Sequence, residues 1–296
     1  MNKNRSYRGT GVAMITPFNP TGTVDYNTLI LLTDRLIENG INYLVVLGTT
    51  AETPTLSTSE KTDVIRCVVE SCAGRVPIVV GAGGNDTLSA IEAIEKLDKN
   101  GIDAILSVVP YYNKPNQEGI YQHYSAIAAA SDLPLMLYNV PGRTGMNMSA
   151  ETTLRLATEY PGHIVAIKEA SGDLDQITRL LMDRPDGFQV ISGDDAVTLP
   201  LIALGGDGLV SVIGNGYPGL ISALVNAALD GDYETARGLH YSLSPMIKAI
   251  FKEGNPAGIK AAMEIRGLCK NVLRLPLVPA TESLCREIRH LDTGMH

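Results

Sequence analysis

The sequence predicts an α/β protein: a (β/α)8 TIM barrel with a C-terminal helical domain. Eight short apolar runs rich in Val and Ile recur along residues 11–212, and segments with helical punctuation separate them. The runs start about 20 to 33 residues apart, which is the length of one strand and its crossover helix. Most are apolar from end to end, as strands covered on both faces are. A doubly wound open sheet is the alternative, but it usually carries a glycine-rich fingerprint after its first strand, which this chain lacks.

The eight predicted strands are these apolar runs. In chain order they are Gly11–Thr16, Tyr43–Leu47, Pro77–Gly81, Ala104–Val109, Leu135–Asn139, Ile164–Lys168, Phe188–Ser192 and Gly208–Val212.

Capping residues mark the start of several helices between the strands. Ser57 and Glu60 have the spacing of a capping box ahead of an amphipathic pattern. Asp25 and Asp86 stand before two further patterns, each followed by a glycine where the helix should end. Pro218 suits the first turn of the helix that follows the last strand.

The strand-like runs cease after about residue 229. Three helical patterns follow, around residues 233–242 with an extension after Pro245, around residues 257–268, and after Thr281. We therefore predict two domains: a catalytic barrel over residues 1–229 and a helical domain over residues 230–296 that packs on it.

Charge and composition argue against several classes of function. The chain of 296 residues has 24 Lys and Arg against 32 Asp and Glu, a net charge of −8, which disfavours nucleic-acid binding. No window approaches the ~18 apolar residues of a membrane span. The apolar stretch near the N-terminus stops at Pro17, too short for a signal peptide. We expect a cytoplasmic protein that binds neither nucleic acid nor membranes.

The cysteines and histidines do not form a metal-site pattern. The four cysteines, which we place within predicted helices, are Cys67, Cys72, Cys269 and Cys285, and none forms a C-x-x-C pair. We expect reduced thiols. A hard-metal site is the alternative, built from Asp173, Asp194, Asp195, Glu52 and Glu169. Against it, Asp173 and Asp195 stand where helix caps are wanted.

The candidate chemistry lies at the carboxyl ends of the strands, because a barrel collects its reactive groups there. Lys168 ends the sixth predicted strand. Burial at that position disfavours the ammonium, and a neutral amine can form an imine with a carbonyl substrate. A structural ion pair with Glu169 is the alternative, although strand alternation puts Glu169 on the opposite face.

Three further positions suit substrate binding or proton transfer. Tyr138 ends the fifth strand and could shuttle protons, or be a core tyrosine bonded to the backbone. Thr49 and Thr50 lie on a strand-to-helix turn that could hold a carboxylate, or cap a helix. Arg143, in a loop of turn-forming residues, could bind a carboxylate in a bidentate manner, or be a surface charge. The glycine-rich residues 214–216 could bind phosphate but lack a nearby cation.

Several strings, taken in order, resemble the dihydrodipicolinate synthase family of pyruvate-dependent aldolases and lyases. They are Gly48–Glu52, Pro110–Pro115, Tyr138–Gly145, Ile167–Asp173 and Ser192–Asp195, with Asn255-Pro256 and Leu273–Pro279 in the tail. The resemblance covers nearly the whole chain. It implies condensation of pyruvate with L-aspartate 4-semialdehyde to give 4-hydroxy-tetrahydrodipicolinate, a step of lysine and diaminopimelate biosynthesis.

The resemblance also implies a role for each matching residue. Lys168 would form the Schiff base with pyruvate. Tyr138, Thr49 and Tyr112 would relay protons, with Tyr112 reaching across from a neighbouring subunit. The family is usually a homotetramer, a pair of tight dimers.

The remaining implied roles concern binding. Thr50 would hold the pyruvate carboxylate, and Arg143 would receive the carboxylate of the semialdehyde. Gly193 and Val210 would line the site through their backbone. The resemblance implies no metal or organic cofactor. N-acetylneuraminate lyase and the sugar-acid aldolases are the alternatives, but they lack an arginine matching Arg143; a non-catalytic binding barrel is the least favoured.

A candidate effector region departs from the pattern of lysine-inhibited members. It comprises Thr53, Thr58, Lys61, Asn85, Ser89 and Tyr111. Thr58 and Lys61 stand where sensitive members often carry histidines, and Ser89 stands where they place a glutamate for the ammonium of the effector. Without that carboxylate a bound cation lacks a partner, so we predict weak or absent inhibition by L-lysine.

Overall fold

The structure, a computed structural model, describes residues 6–295; residues 1–5 and 296 lie outside the description. Eight parallel strands close into a barrel in chain order, with β1 hydrogen-bonded to β8. They are β1 (Gly9–Ala13), β2 (Tyr43–Val46), β3 (Ile78–Gly81), β4 (Ala104–Val108), β5 (Leu135–Asn139), β6 (Ile164–Glu169), β7 (Gln189–Ser192) and β8 (Gly208–Ser211). The predicted TIM barrel is confirmed.

Helices surround the barrel and continue beyond it. They are α1 (Tyr26–Glu38), α2 (Thr58–Cys72), α3 (Thr87–Glu95), α4 (Gln117–Ala130), α5 (Pro141–Thr144), α6 (Ala150–Glu159), α7 (Leu174–Asp183), α8 (Thr198–Ala203), α9 (Pro218–Leu229), α10 (Tyr233–Phe251), α11 (Ala257–Ile265) and α12 (Glu282–Asp292). Asp25, Ser57 and Asp86 cap their helices as predicted, and Glu60 completes the capping box. Pro218 begins α9, also as predicted.

The apolar core has two parts. The larger part lies between the strands and the surrounding helices. The smaller part fills the barrel interior and includes Tyr43, Met136, Tyr138, Ala166 and Val210. Side chains alternate between the two faces of a strand, so a residue two positions after an interior residue also points inward. If that residue lies at the carboxyl end of the strand, its side chain lies at the mouth of the barrel.

The first strand and Cys269 are placed wrongly by the prediction, whereas the ends of the other seven strands agree with it to within one residue. The first strand is Gly9–Ala13 rather than Gly11–Thr16, so Thr16 lies beyond the strand end. Cys269 lies after the end of α11, in a bend, rather than within a helix. The four cysteines are free, as expected.

The C-terminal region is helical, as predicted. The segment after Pro245 continues the preceding helix without a break, so α10 runs the whole way from Tyr233 to Phe251. α10 packs on α9 of the barrel and on α12. The boundary at residue 229 stays a prediction. Within residues 6–295, no helix is both long enough and apolar enough to cross a membrane.

Candidate active site

Lys168 and Tyr138 lie side by side at the mouth of the barrel. They are register partners on β6 and β5. Lys168 follows the interior residue Ala166 by two positions, so its side chain points inward, where it is only 4% exposed. Its Nζ lies 4.1 Å from the centroid of the Tyr138 ring. The amine therefore stands over an aromatic face at the bottom of an open cavity.

Glu169 takes no part in holding this amine. Its carboxylate is buried on the other side of β6, where it accepts hydrogen bonds from Asn139, Gln176 and the Ser171 backbone. Among the described residues no carboxylate forms an ion pair with Lys168. The alternative of a structural Lys168–Glu169 pair is therefore wrong.

Thr49 and Thr50 lie on a tight turn after β2. A 3-10 helix spans Thr49–Ala51, and Glu52 ends it with a left-handed backbone, φ 55°. The Thr16 hydroxyl donates a 2.8 Å hydrogen bond to the Ala51 carbonyl and holds the turn against the segment after β1. Thr50 is buried and Thr49 half-buried, and both line the cavity above Lys168.

Arg143 reaches the same cavity from the short helix α5. Pro141 begins this helix and Gly145, with φ 69°, ends it, so the loop after β5 is compact. The exposed Arg143 guanidinium donates from Nη2 to the main-chain oxygen of Asn255, 3.2 Å away. No carboxylate pairs with Arg143 in the part of the chain that the structure describes, so the donors of the fork that are not used by Asn255 are open to a ligand.

The cavity has a volume of about 1050 Å³. Its floor is formed by strand ends. Its outer wall is formed by α10, which contributes Lys248, by the C-cap residue Lys252 of that helix, and by α12, which contributes Glu287. Lys252 and Glu287 form an ion pair of 2.7 Å, which raises the pKa of the lysine. The site is therefore built by the barrel and the C-terminal helices together.

Gly193 and Val210 differ in their distance from this cavity. Gly193 lines it, and a Cβ at this position would meet the Cε and Cγ atoms of Lys168 at 3.0 Å and the Ala170 Cβ at 2.8 Å. A side chain there would displace the lysine stem. Val210 is fully buried in the barrel interior, with Tyr138 in the same apolar cluster, and is not among the cavity-lining residues.

Tyr112 does not join the site within the single chain. It is 87% exposed and has a left-handed backbone, φ 73°. Its neighbour Tyr111 lines a second cavity of about 520 Å³, together with Lys61 and Thr53 of the candidate effector region. The Tyr111 carbonyl accepts a hydrogen bond of 3.1 Å from Asn85.

The other two residues of that region lie at helix starts. Thr58 is the first residue of α2 and Ser89 lies in the first turn of α3, both exposed. The second cavity also reaches Thr49, Tyr138 and Arg143, so it borders the site around Lys168.

Asp195 is not the helix cap that its sequence context predicted. Helix α8 begins later, at Thr198, and the N-cap residue is Val197. The buried carboxylate instead accepts hydrogen bonds from the Ser211 hydroxyl, 2.6 Å, and from the backbone of Val212 and Ile213. Burial raises its pKa to about 6. Asp195 therefore fixes the end of β8 beside the site.

The acidic residues considered for a metal site are engaged elsewhere. Asp173 caps α7 as predicted, and the Asp194 carboxylate accepts from the Ala196 backbone. Within residues 6–295 no cluster of three or more possible metal ligands occurs.

Glu52 is buried against Lys260. Both side chains are fully buried, and Nζ of Lys260 lies 2.6 Å from Oε1 of Glu52. The second oxygen of Glu52 accepts from the Arg274 backbone at 2.9 Å, and Nζ also donates to the Val272 carbonyl. Burial lowers the pKa of Lys260, and Glu52 opposes this shift. The pair ties the Thr49–Thr50 turn to the C-terminal region.

Asn255 is the site residue that sequence reasoning missed. It lines both cavities and donates from Nδ2 to the Thr50 hydroxyl at 2.9 Å. The Asn255–Pro256 dipeptide appeared in the sequence only as part of the family-like tail. That signal marked the residue but not its place in the site.

Comparisons with known proteins agree with this geometry. The model of the dihydrodipicolinate synthetase family matches residues 6–291. The 4-hydroxy-tetrahydrodipicolinate synthase of Parabacteroides distasonis is 53% identical over 284 residues, which cover 96% of this chain and 95% of that protein.

Solved structures of the same family superpose closely on the chain. Dihydrodipicolinate synthase from Thermotoga maritima gives a TM-score of 0.95 at 40% identity, covering 99% of this chain and 100% of the other. The Cyanidioschyzon merolae protein, solved with lysine bound, gives 0.94 at 43% identity, with 98% of each chain covered.

Proposed function

The chain belongs to the dihydrodipicolinate synthetase family, and we propose that it condenses pyruvate with L-aspartate 4-semialdehyde through a Schiff base on Lys168. One observation carries the proposal: the Lys168 amine is buried at the end of β6, lines the cavity and forms no ion pair with a carboxylate of the described residues. Such an amine can attack the carbonyl carbon of a keto acid. The product, 4-hydroxy-tetrahydrodipicolinate, would serve lysine and diaminopimelate biosynthesis.

The first half of the reaction joins pyruvate to the enzyme. Nζ of Lys168 adds to the keto carbon and water leaves, which gives an imine. The Thr50 hydroxyl and the backbone of its turn would hold the pyruvate carboxylate, since they face the same cavity. Loss of a methyl proton then gives the enamine, with Tyr138 and Thr49 placed to relay the proton.

The second half consumes the semialdehyde. The enamine carbon attacks the aldehyde carbon while Arg143 holds the carboxylate of this acceptor. The amino group of the acceptor then displaces Lys168 from the imine, which closes the ring and frees the enzyme. All groups in this scheme come from the protein and its two substrates, so we propose that neither a metal nor an organic cofactor takes part.

We further propose a homo-oligomer, a tetramer of two tight dimers, in which Tyr112 completes the proton relay of a neighbouring subunit. Tyr112 is 87% exposed and the adjacent Tyr111 is 42% exposed. This pair of exposed tyrosines supports the proposal, because aromatic residues are enriched at protein–protein interfaces. A cytoplasmic location also stays a prediction.

Replacing Arg143 with alanine tests the acceptor. We expect kcat/KM for aspartate semialdehyde to fall roughly 10- to 100-fold, because a hydrogen-bonded ion pair with the carboxylate is lost. Imine formation with pyruvate should change little. Arg143→Lys keeps the charge but not the fork of donors, so its kcat/KM for aspartate semialdehyde should lie between those of the wild-type protein and of Arg143→Ala.

Steady-state assays with aspartate semialdehyde, N-acetylmannosamine and glyceraldehyde decide among acceptors. Preference of the wild-type protein for either sugar-type acceptor would contradict the proposal. An Arg143→Ala variant with equal losses in imine formation and condensation would contradict the carboxylate assignment.

Inhibition by L-lysine is expected to be weak or absent. In the second cavity the described lining residues include a single carboxylate, that of Glu52, which is already paired with Lys260. Lys61 adds a like charge to the same wall, so the side-chain ammonium of a bound lysine would meet no free acid there. Steady-state assays over a range of lysine concentrations check this, and inhibition in the submillimolar range would refute it.

A further inference from the structure

Asn255 carries an unsatisfied acceptor on the wall of the active-site cavity. The residue is 8% exposed and lines the cavity beside Thr50 and Arg143. Its Nδ2 is committed to the Thr50 hydroxyl, whereas its Oδ1 is buried and has no hydrogen-bond partner among the described residues. A buried amide oxygen without a partner is costly, so a donor on a ligand in the adjoining cavity, reached by a small rotation of the amide, would remove this cost.

The neighbour of this acceptor indicates which ligand would supply the donor. The Arg143 guanidinium donates to the main-chain oxygen of Asn255 at 3.2 Å. The residue with the carboxylate-binding fork is thus in direct contact with the residue that carries the unpaired amide oxygen. An α-amino acid carries its carboxylate and its amino group on one carbon, and these two groups match that adjacent pair of a donor fork and an acceptor.

We propose that Asn255 is a specificity-determining residue whose Oδ1 accepts a hydrogen bond from the amino group of the acceptor aldehyde. The inference rests on the proposed function. It adds that the site recognises the amino group of the acceptor as well as its carboxylate. An aldehyde acid that lacks the amine would leave Oδ1 unsatisfied and bind more weakly. Polyol aldehydes lack this pairing of amine and carboxylate altogether.

Two carboxylates on the cavity wall could compete with Asn255 for the amino group, and each already has a partner. Glu287 pairs with Lys252 at 2.7 Å, and one oxygen of Asp194 accepts from the Ala196 backbone at 2.9 Å. Asp194 is the competing acceptor for an amine, because only one of its two carboxylate oxygens accepts from the Ala196 backbone. The test therefore includes a variant of Asp194.

The hydrogen bond from Nδ2 to Thr50 has a separate consequence for pyruvate. Because Asn255 donates to the Thr50 oxygen, the hydroxyl proton is left to point at a ligand. A carboxylate ligand requires that orientation. Loss of the amide donor should therefore raise the KM for pyruvate, while loss of the amide oxygen should affect the amine. The two effects are separable by substitution.

The experiment compares aspartate semialdehyde with succinate semialdehyde, which has the same chain but no amine. The readout is the Ki of succinate semialdehyde as a competitor, divided by the KM for aspartate semialdehyde. We expect a ratio of about ten or more for the wild-type protein, which is what a hydrogen bond to a charged group contributes. In Asn255→Leu and Asn255→Ala the ratio should fall to about one.

Three further variants separate this role from a general loss of structure. Asn255→Asp keeps an acceptor oxygen, so the ratio should persist while the KM for pyruvate rises. Thr50→Val removes the same hydrogen bond from its other end and should likewise raise the KM for pyruvate without changing the ratio. Asp194→Asn should keep the ratio. Borohydride trapping of the pyruvate imine reports in each case whether the site is still assembled.

The outcomes distinguish a failure of the proposed function from a failure of the inference about Asn255. If the wild-type protein forms the imine but does not turn over aspartate semialdehyde, the proposed acceptor and this inference both fail. If it turns over the semialdehyde and the ratio survives in Asn255→Leu and Asn255→Ala, the inference alone is overturned. Loss of the ratio in Asp194→Asn, with no loss in the Asn255 variants, would assign the amine to Asp194 instead.

Discussion

Replacing Lys168 with methionine is expected to abolish imine formation with pyruvate and to lower kcat by at least roughly 10³-fold. Methionine fills nearly the same volume as the lysine stem, which packs on Gly193 and stands over the Tyr138 ring. The barrel should therefore remain folded while the nucleophile is lost. No other amine of the described chain lies at the end of a strand on the floor of this cavity.

The measurement is borohydride reduction in the presence of pyruvate, followed by peptide mapping with mass spectrometry. The wild-type protein should carry one reduced adduct, on the Lys168 peptide. Lys248→Met is the matched control, because Lys248 is a second lysine on the wall of the same cavity; this variant should still be trapped at Lys168. An adduct on Lys248, or an unmodified Lys168 peptide in the wild-type protein, would refute the mechanism.

The position of this lysine could be predicted because the relevant pattern is local. The apolar run of residues 164–167 identifies the strand, and strand alternation tells the inward Lys168 from the outward Glu169 at its end. The bounds of β5 were predicted to the residue. The first strand was misplaced for a related reason. Gly9 and Thr10 are buried strand residues without apolar side chains, whereas Met14 and Ile15 are apolar core residues beyond the strand. An apolar run marks burial, and only indirectly a strand.

The roles of Asp195 and Asn255 could not be predicted because their partners are distant in sequence. Asp195 precedes an apolar pattern and so resembles a cap, but its hydrogen bonds go to the end of β8. Asn255 bonds to Thr50, 205 residues away, and to Arg143, 112 residues away. These contacts exist only once the barrel has closed and the C-terminal helices have packed on it. Local capping and periodicity rules contain no information about them.

The C-terminal region therefore contributes to the site rather than merely covering the barrel. The Glu52–Lys260 ion pair links this region to the site, and the contribution of the pair to stability and to pyruvate binding can be measured. Glu52 follows the Thr49–Ala51 turn directly, and Lys260 lies on α11, with Nζ 4.2 Å from the centroid of the Phe18 ring. Both ends of the ion pair are fully buried, so neither charge has access to water as an alternative partner.

Lys260→Met should accordingly destabilise the protein by about 3–5 kcal/mol, because it leaves the Glu52 carboxylate buried without its counter-charge. For a chain of this size that loss corresponds to a fall in Tm of roughly 6–10 °C. The KM for pyruvate should rise as well, since the turn that carries Thr49 and Thr50 loses its link to α11. Thermal unfolding followed by circular dichroism, with pyruvate titrations on the folded variant, measures both effects.

Lys96→Met is the matched control, because Lys96 pairs with Glu92 on the surface of α3, where the two side chains are 75% and 63% exposed. An exposed pair contributes at most about 1 kcal/mol, so this variant should unfold close to the wild-type temperature.

The double variant Glu52→Gln/Lys260→Met should regain at least half of the lost Tm, because a neutral amide can still accept from the Arg274 backbone and costs far less to bury than a carboxylate. A Lys260→Met variant as stable as Lys96→Met would show that the buried pair does not hold the turn. A double variant no more stable than the single one would show instead that the lost stability comes from packing around Lys260 rather than from an unpaired charge on Glu52.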